Sequence, residues 1–409
     1  MVESMVDYYS RISSRARSLK PSEIREILSL TEGKDIISLA GGLPGPEVFP
    51  KEKLASISRK VIEEFGDKSL QYSPTLGVSH FREEVFKFVT SKGVKVNEDD
   101  VITITTGSQE ALFLLGLSLI DPGDSIIIEA PTYLAALNTF KFFGANFISI
   151  PIDEGGMKVE TIEDEIKKAI DAGKKIKLIY TVPTAHNPTG VIMSDERRRR
   201  LIDVANKYDL LIVEDDPYSY FVFDTEERFA SLKTLDTEGR VVYLGTFSKI
   251  LSPGLRLGYL IAPSKVTRSV ELAKQIVDLH TSTLAQYIAM YALREGVVEE
   301  TIENARKVYR TKRDALVDAL ESYLPKGSEY YKPKGGLFAF IYLPGSIDTT
   351  SMLMKAIERG VAYVPGRNFF ADGSGSNALR INFSYPSIEK LREGVRRICE
   401  LVKEEINVA

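Results

Sequence analysis

Seven short apolar runs, spaced through the first two-thirds of the chain and separated by stretches of helical periodicity, set the tightest limit on its fold. They are Val101–Thr105, Ser125–Glu129, Asn146–Ile150, Lys177–Thr181, Leu210–Glu214, Val241–Gly245 and Leu257–Ile261. The first passes through Gly107-Ser108-Gln109 into a helix-like Glu110–Ile120, closed by the turn Asp121-Pro122-Gly123. Asp195–Tyr208 carries Leu201, Val204, Ala205 and Tyr208 on one helical face. Strands apolar on both sides with helices between them imply a mostly parallel sheet covered on both faces, an α/β/α sandwich expected to hold seven strands. At 409 residues the chain exceeds what one core usually serves. From about residue 300 longer charged helices surround a few strands, such as Leu337–Tyr342 and Leu379–Phe383, which predicts a smaller α+β domain. The expected division is 1–50 as a segment packed on the small domain, 51–295 as the large domain and 296–409 as the small one.

Composition excludes several classes of function. A net charge of −4, with no long single-sign tail, gives no reason to expect a nucleic-acid partner. No window approaches the roughly 20 apolar residues of a membrane span, and Met1 to Asp7 show no basic segment leading into an apolar one. The lone Cys399 sits among Ile388, Leu391, Val395, Ile398 and Val402 at helical spacing, the pattern of a buried core thiol. His80, His186 and His280 have no zinc-site spacing, so no metal is expected. A cytoplasmic compartment follows, and few glutamines, no tryptophan and abundant Lys, Arg and Glu point to a thermophile. Arg197–Arg200, preceded by Ser194, Asp195 and Glu196, reads as the solvated start of a helix.

In an open α/β sheet, ligands collect outside the carboxyl ends of the strands. Gly107-Ser108-Gln109 follows the first run, Asn187 the fourth, Asp215 the fifth and Lys249 the sixth, so four unlike polar groups are expected at one edge. The glycine turn into a helix is either an ordinary turn with Ser108 as N-cap or an anion site with free N–H groups. Arg256 and the Thr246 hydroxyl would complete such a site for a phosphate. A carboxylate at Asp215 would hold a pyridine nitrogen protonated, Tyr218 and Asn187 suit a phenolate oxygen, and Tyr133 would lie over the ring. An amine at Lys249, its pKa lowered by burial and neighbouring cations, would form an imine. These are the needs of pyridoxal 5'-phosphate (PLP).

The motifs carry a resemblance as well. Ser38–Pro44 (Ser-Leu-Ala-Gly-Gly-Leu-Pro), Tyr72–Gly77, Thr106–Ala111, Pro131-Thr132-Tyr133, His186–Gly190, Glu214–Tyr218, Ser248–Gly258 and Leu379–Ser384 are similar to the fold-type I PLP aminotransferases of class I/II along nearly the whole chain. The resemblance implies that Lys249 is the Schiff-base lysine and proton shuttle, Asp215 the pyridinium partner, and Asn187 and Tyr218 the ligands of the cofactor oxygen. It implies Ser108, Gln109, Thr246, Ser248 and Arg256 around the phosphate, Tyr133 on the ring, and Arg380 on the substrate α-carboxylate. Gly42 would let a closing N-terminal segment approach the substrate, and Tyr72 would reach the phosphate of a neighbouring subunit, which implies a homodimer with shared sites. Thr246 stands where the family often has Ser, and His186 where Gln is frequent; His186 is read as pocket wall.

The implied reaction moves an amino group from an amino acid to a 2-oxo acid, 2-oxoglutarate above all, by a ping-pong mechanism. The Lys249–Arg256 spacing and Gly41–Pro44 resemble the 2-aminoadipate and kynurenine aminotransferases, which suggests broad use of 2-aminoadipate, aromatic, leucine/methionine and glutamate-type donors. Arg25 is either a partner for a distal substrate carboxylate or one member of a solvated ion pair with Glu26. C–S lyases and decarboxylases share the fold and cofactor and remain an alternative. A ligand-sensing regulator is remote, because the stretch ahead of Ile36 is expected to be too short for a DNA-binding segment.

Overall fold

A computed structural model describes residues 8–19, 21, 27, 29, 35–225, 229–345 and 347–408. Its strands, in chain order, are β1 (Ile37–Ser38), β2 (Asp100–Thr105), β3 (Ser125–Ala130), β4 (Asn146–Asp153), β5 (Gly156–Met157), β6 (Ile176–Thr181) and β7 (Leu211–Asp216). There follow β8 (Val241–Thr246), β9 (Gly258–Pro263), β10 (Glu329–Tyr330), β11 (Phe338–Tyr342), β12 (Val361–Ala362), β13 (Val364–Pro365) and β14 (Ala378–Asn382).

The main sheet has the order β2-β9-β8-β7-β6-β3-β4-β5. β8, β7, β6, β3 and β4 pair in parallel, and β9 is antiparallel to both its neighbours, so β2 points the same way as β8. The seven expected strands are therefore present, with an eighth added. β5 is two residues long and folds back antiparallel on the end of β4, too short to register as an apolar run. Asp215 was expected just beyond its strand but lies inside β7, paired with Leu244.

Alternation along each strand sends side chains to both faces. On one face Ile126, Ile128, Leu178, Tyr180, Val213, Val242, Leu244 and Leu260 form a core with the helices Ser108–Leu119, Leu134–Phe142 and Ser264–Val277. On the other, Ile127, Ile179 and Ile212 pack against Ile162–Asp171 and Asp195–Lys207. Asp195–Lys207 begins as its sequence suggests, with the Ser194 hydroxyl accepting from the Arg197 N–H at 3.3 Å. Arg199 and Arg200 are exposed, as a solvated helix start would have them, but the other two arginines are not. Arg198 is fully buried and donates to the carbonyls of Met193 and Pro183, while Arg197 makes a bidentate pair with Asp153. A guanidinium can close several loop carbonyls at once, which makes it tolerable in a core.

A second sheet, β10-β11-β14-β13, is antiparallel and lies against the long helices Val297–Tyr323 and Ile388–Val408. Cys399 is buried in this core, and burial pushes its thiol up to about 12. The early segment joins the same region, since β1 pairs in parallel with β12 and the Leu39 carbonyl accepts from the Asn382 N–H at 2.8 Å. None of the described helices is long and apolar enough to cross a membrane.

Candidate active site

The carboxyl edge of the main sheet collects residues far apart in the chain. β2 ends at Thr105 and leads through Gly107 into the helix Ser108–Leu119. Gly107, not Ser108, is the N-cap residue, with φ 78° and ψ 165°, a conformation that only glycine adopts readily. Among the described residues no side chain caps this helix, so N–H groups of its first turn point outward into the edge. Gly258, which opens β9, lies close by: a Cβ there would come within 2.8 Å of the Gly107 carbonyl carbon and the Ser108 nitrogen. Because β9 runs antiparallel, its beginning meets the ends of β2 and β8, and Arg256 arrives beside Gly107. Arg256 has φ 53°, a left-handed turn that swings its guanidinium to the Thr106 carbonyl at 3.4 Å. The side chains of two predicted phosphate ligands are otherwise engaged. The Gln109 amide donates to Thr139 at 2.8 Å, and the Thr246 hydroxyl accepts from the Ser248 N–H at 3.1 Å.

Lys249 follows β8. Its amine donates to the Gly42 carbonyl at 2.6 Å, and no carboxylate pairs with it among the described residues. Burial, with the charges of Arg380 and Arg256 adding to it, pulls its pKa down to about 8. Asp215 is held by the Tyr180 hydroxyl, which donates to Oδ2 at 2.8 Å, while its Oδ1 is buried without a hydrogen-bond partner among the described residues. Burial raises Asp215 to about 7; the Tyr180 bond opposes this, and the charges of Asp216 and Glu129 add to it. Tyr133 lies among Asp215, Arg380 and Arg256, and burial pushes its phenol up to about 12. Tyr218 is buried within hydrogen-bonding reach of Asn187, whose Oδ1 accepts from Arg380 at 3.0 Å.

Arg380, on β14, closes the edge from the second sheet. Its guanidinium sits 4.0 Å from the ring centre of Phe338 and 5.1 Å from that of Phe369, and donates to the Ala40 carbonyl at 2.9 Å. Burial lowers its pKa to about 10. Gly42 passes close to the same ring, where a Cβ would lie 3.5 Å from Phe338. One predicted residue stands apart from this cluster, and another cannot be placed against it. Tyr72 is 78% exposed, edge-on to His280 at 5.6 Å, and Arg25 lies outside the described residues. His186 is buried, with Nε2 3.1 Å from Glu129 and Nδ1 2.9 Å from the Thr189 hydroxyl, behind the edge.

Sequence reasoning missed two further groups. Tyr180 looked like an ordinary strand residue. Lys274, with its side chain fully buried, binds Glu110 at 2.7 Å and Asp278 at 2.9 Å, while the Thr106 N–H donates to Glu110 and the Thr106 hydroxyl to Asp278. This network fixes the turn between β2 and its helix. Neither group belongs to a motif, so only tertiary placement reveals it.

The residues suit PLP on their own chemistry. The buried Asp215 Oδ1 lacks a partner, as an acceptor for a ring N–H would; Lys249 is an amine without an acid; and the Gly107–Gly258 approach leaves N–H groups and a guanidinium together for a phosphate.

The comparisons agree. An aromatic-amino-acid aminotransferase of Thermococcus litoralis is 45% identical over 98% of this chain and 96% of its own. A 2-aminoadipate transaminase of Thermus thermophilus is 39% identical over 95% of both chains. The crystal structure of a Pyrococcus horikoshii kynurenine aminotransferase with pyridoxamine phosphate (PMP) superimposes with a TM-score of 0.94 at 45% identity, covering 98% of this chain and 99% of that one. The family model for aminotransferases of class I and II matches residues 35–398, and this chain belongs to that family as a PLP-dependent aminotransferase.

Proposed function

We propose that the enzyme transfers amino groups from a broad set of donors, including aromatic amino acids, 2-aminoadipate, leucine, methionine and glutamate, to a 2-oxo acid, chiefly 2-oxoglutarate, in two alternating half-reactions. The observation that carries this reading is the meeting of an acid-free amine, a carboxylate with one unpartnered oxygen and a ring-sandwiched guanidinium at one sheet edge. The names of the Thermococcus, Thermus and Pyrococcus relatives support the donor range.

Bound at this edge, PLP supplies an aldehyde for the lysine and a ring that accepts the electrons left at the substrate α-carbon. Lys249 Nζ, with a pKa near 8, holds the cofactor and then takes the proton from the substrate α-carbon. Asp215 Oδ1 accepts from the ring N–H and keeps it charged. Asn187 and Tyr218 hold the ring's oxygen. Ser108, Gln109, Thr246, Ser248 and Arg256 hold the phosphate, Ser108 and Gln109 through helix N-terminal N–H groups. Tyr133 covers the ring face. Arg380, oriented by Phe338 and Phe369, takes the substrate α-carboxylate in a two-pronged pair. The segment through Gly42, part of an N-terminal 1–50 unit, closes over the substrate between a large domain (51–295) and a small one (296–409). The exposed Tyr72 completes the phosphate site of a second copy, in a cytoplasmic homodimer.

An absorbance spectrum of the PLP-loaded protein during single additions of amino acids tests the reading. A yellow band that bleaches with 2-aminoadipate, glutamate or an aromatic donor and returns with 2-oxoglutarate is the expected result. A panel in which only one donor, such as aspartate, bleaches the band would sink the broad specificity. A band that never bleaches while pyruvate or ammonia accumulates would sink transamination as the reaction at this site.

A further inference from the structure

The carboxylate of Asp215 has two oxygens in different circumstances. Oδ2 takes a 2.8 Å hydrogen bond from Tyr180, and among the described residues the buried Oδ1 has nothing to accept from. Tyr180 lies on β6, in register with Val213 of the neighbouring β7, so Tyr180, Val213 and Asp215 share one face of the sheet. Its ring is fully buried and meets Phe140 of the helix Leu134–Phe142 nearly edge-on, with centres 5.8 Å apart and planes at 66°. Packed in that way, the phenol has little freedom to aim elsewhere.

We propose that Tyr180 is the positioning residue that presents Asp215 to the ring nitrogen of the cofactor. By engaging Oδ2 it fixes the rotation of the carboxylate and leaves Oδ1 for the ring N–H. It also favours the ionised carboxylate. Burial and the nearby acids Asp216, on the same strand, and Glu129, on β3, all oppose that charge, and the phenol of Tyr133 adds no positive one. The Tyr180 hydroxyl opposes them, and its own pKa is held well above 10 by burial and by Asp215. It therefore remains a donor at any working pH. The inference rests on Asp215 being the partner of the ring nitrogen.

Tyr180→Phe keeps the ring and its packing and removes only the hydroxyl. The readouts need no turnover: the PLP dissociation constant of the cofactor-free protein, and the 15N chemical shift of PLP labelled at the ring nitrogen. The expected result is an unchanged fold, PLP binding weakened about tenfold or more, and a ring nitrogen displaced toward its unprotonated shift at pH 8. Tyr180→Gln, which retains an N–H donor, is expected to fall between Phe and wild type, and it serves as the second variant if Tyr180→Phe folds poorly. Wild-type affinity and shift in both variants, with Asp215→Asn impaired, would overturn the role of Tyr180 alone. Wild-type affinity and shift in Asp215→Asn would overturn the assignment of Asp215 and this inference with it.

Discussion

Asp215 and Lys249 show how the same burial drives opposite charges toward neutrality. Both sit where water is scarce, and among the described residues neither meets an opposite charge from a side chain. For Asp215 the consequence is measurable without the cofactor. Its folded pKa of about 7 lies above the ordinary 3.8, so the folded state binds the proton more tightly. Stability is therefore lost as pH rises from about 4 to about 7, and the full penalty, on the order of 4 kcal/mol at most, applies at pH 8. Asp215→Asn removes that titration. The cofactor-free variant is expected to melt above wild type at pH 8, with the gap shrinking toward zero near pH 4. Calorimetry across that range checks it, and a gap that does not change with pH would show that Asp215 keeps its ordinary pKa. A charged ring nitrogen on Asp215, as the proposed function places it, would offset that penalty.

The working element is the junction of β2 with the helix Ser108–Leu119, where glycine is required twice. Gly107 needs its φ of 78° and ψ of 165°, and a Cβ there would fall 2.6 Å from the Arg256 guanidinium. Gly258 needs the absence of a side chain to approach the same turn. Gly107→Ala is expected to cost about 1–3 kcal/mol of stability. It should weaken PLP binding at least about tenfold, because the atoms displaced are those assigned to the phosphate in the proposed function. Thermal melts and PLP titration of the cofactor-free protein separate the two effects. Full PLP affinity in this variant would mean that the turn does not hold the phosphate. The Lys274–Glu110–Asp278 network behind the turn holds Thr106, and with it the loop, in place.

Across the whole molecule, the sequence made most of the architecture legible and the interior electrostatics much less so. The seven principal strands follow from apolar runs, because period and turn chemistry are local properties. The reversal of β9 does not, since the direction of a strand is decided by its connection and by packing. Lys249, Asp215, Asn187, Tyr218, Arg256 and Arg380 were readable because each stands in a compact motif. Tyr180, Lys274 and the burial of Arg198 were not, because each depends on a partner in another segment: Asp215 is 35 residues from Tyr180, Glu110 is 164 from Lys274 and Thr184 is 14 from Arg198. Quaternary structure is the level the fold leaves open. Leu272 and Ile276, one helical turn apart on Ser264–Val277, are exposed at 46% and 85%, and Leu279 and Tyr72 follow nearby. A copy of this chain seated on that face would bury them, and the proposed role of Tyr72 requires such a copy. Light scattering is expected to give twice the 45.6 kDa chain mass, and the double substitution Leu272→Asp with Ile276→Asp is expected to give monomers that bind PLP poorly. Monomers with undiminished PLP affinity would show that each site is complete within one chain.

The reversal of β9 carries a geometric corollary. β8 delivers an amine at its end and β9 begins just past a guanidinium, so one connecting loop, Phe247 to Leu257, holds both groups. Its length acts as a caliper, setting the gap between that amine and that guanidinium, and so between the reactive end and the anionic end of a ligand held as proposed above. The strands on either side are locked in register, so an inserted residue has no strand slack to absorb it. Adjusting the reach of this site would mean altering that one loop while leaving the sheet untouched.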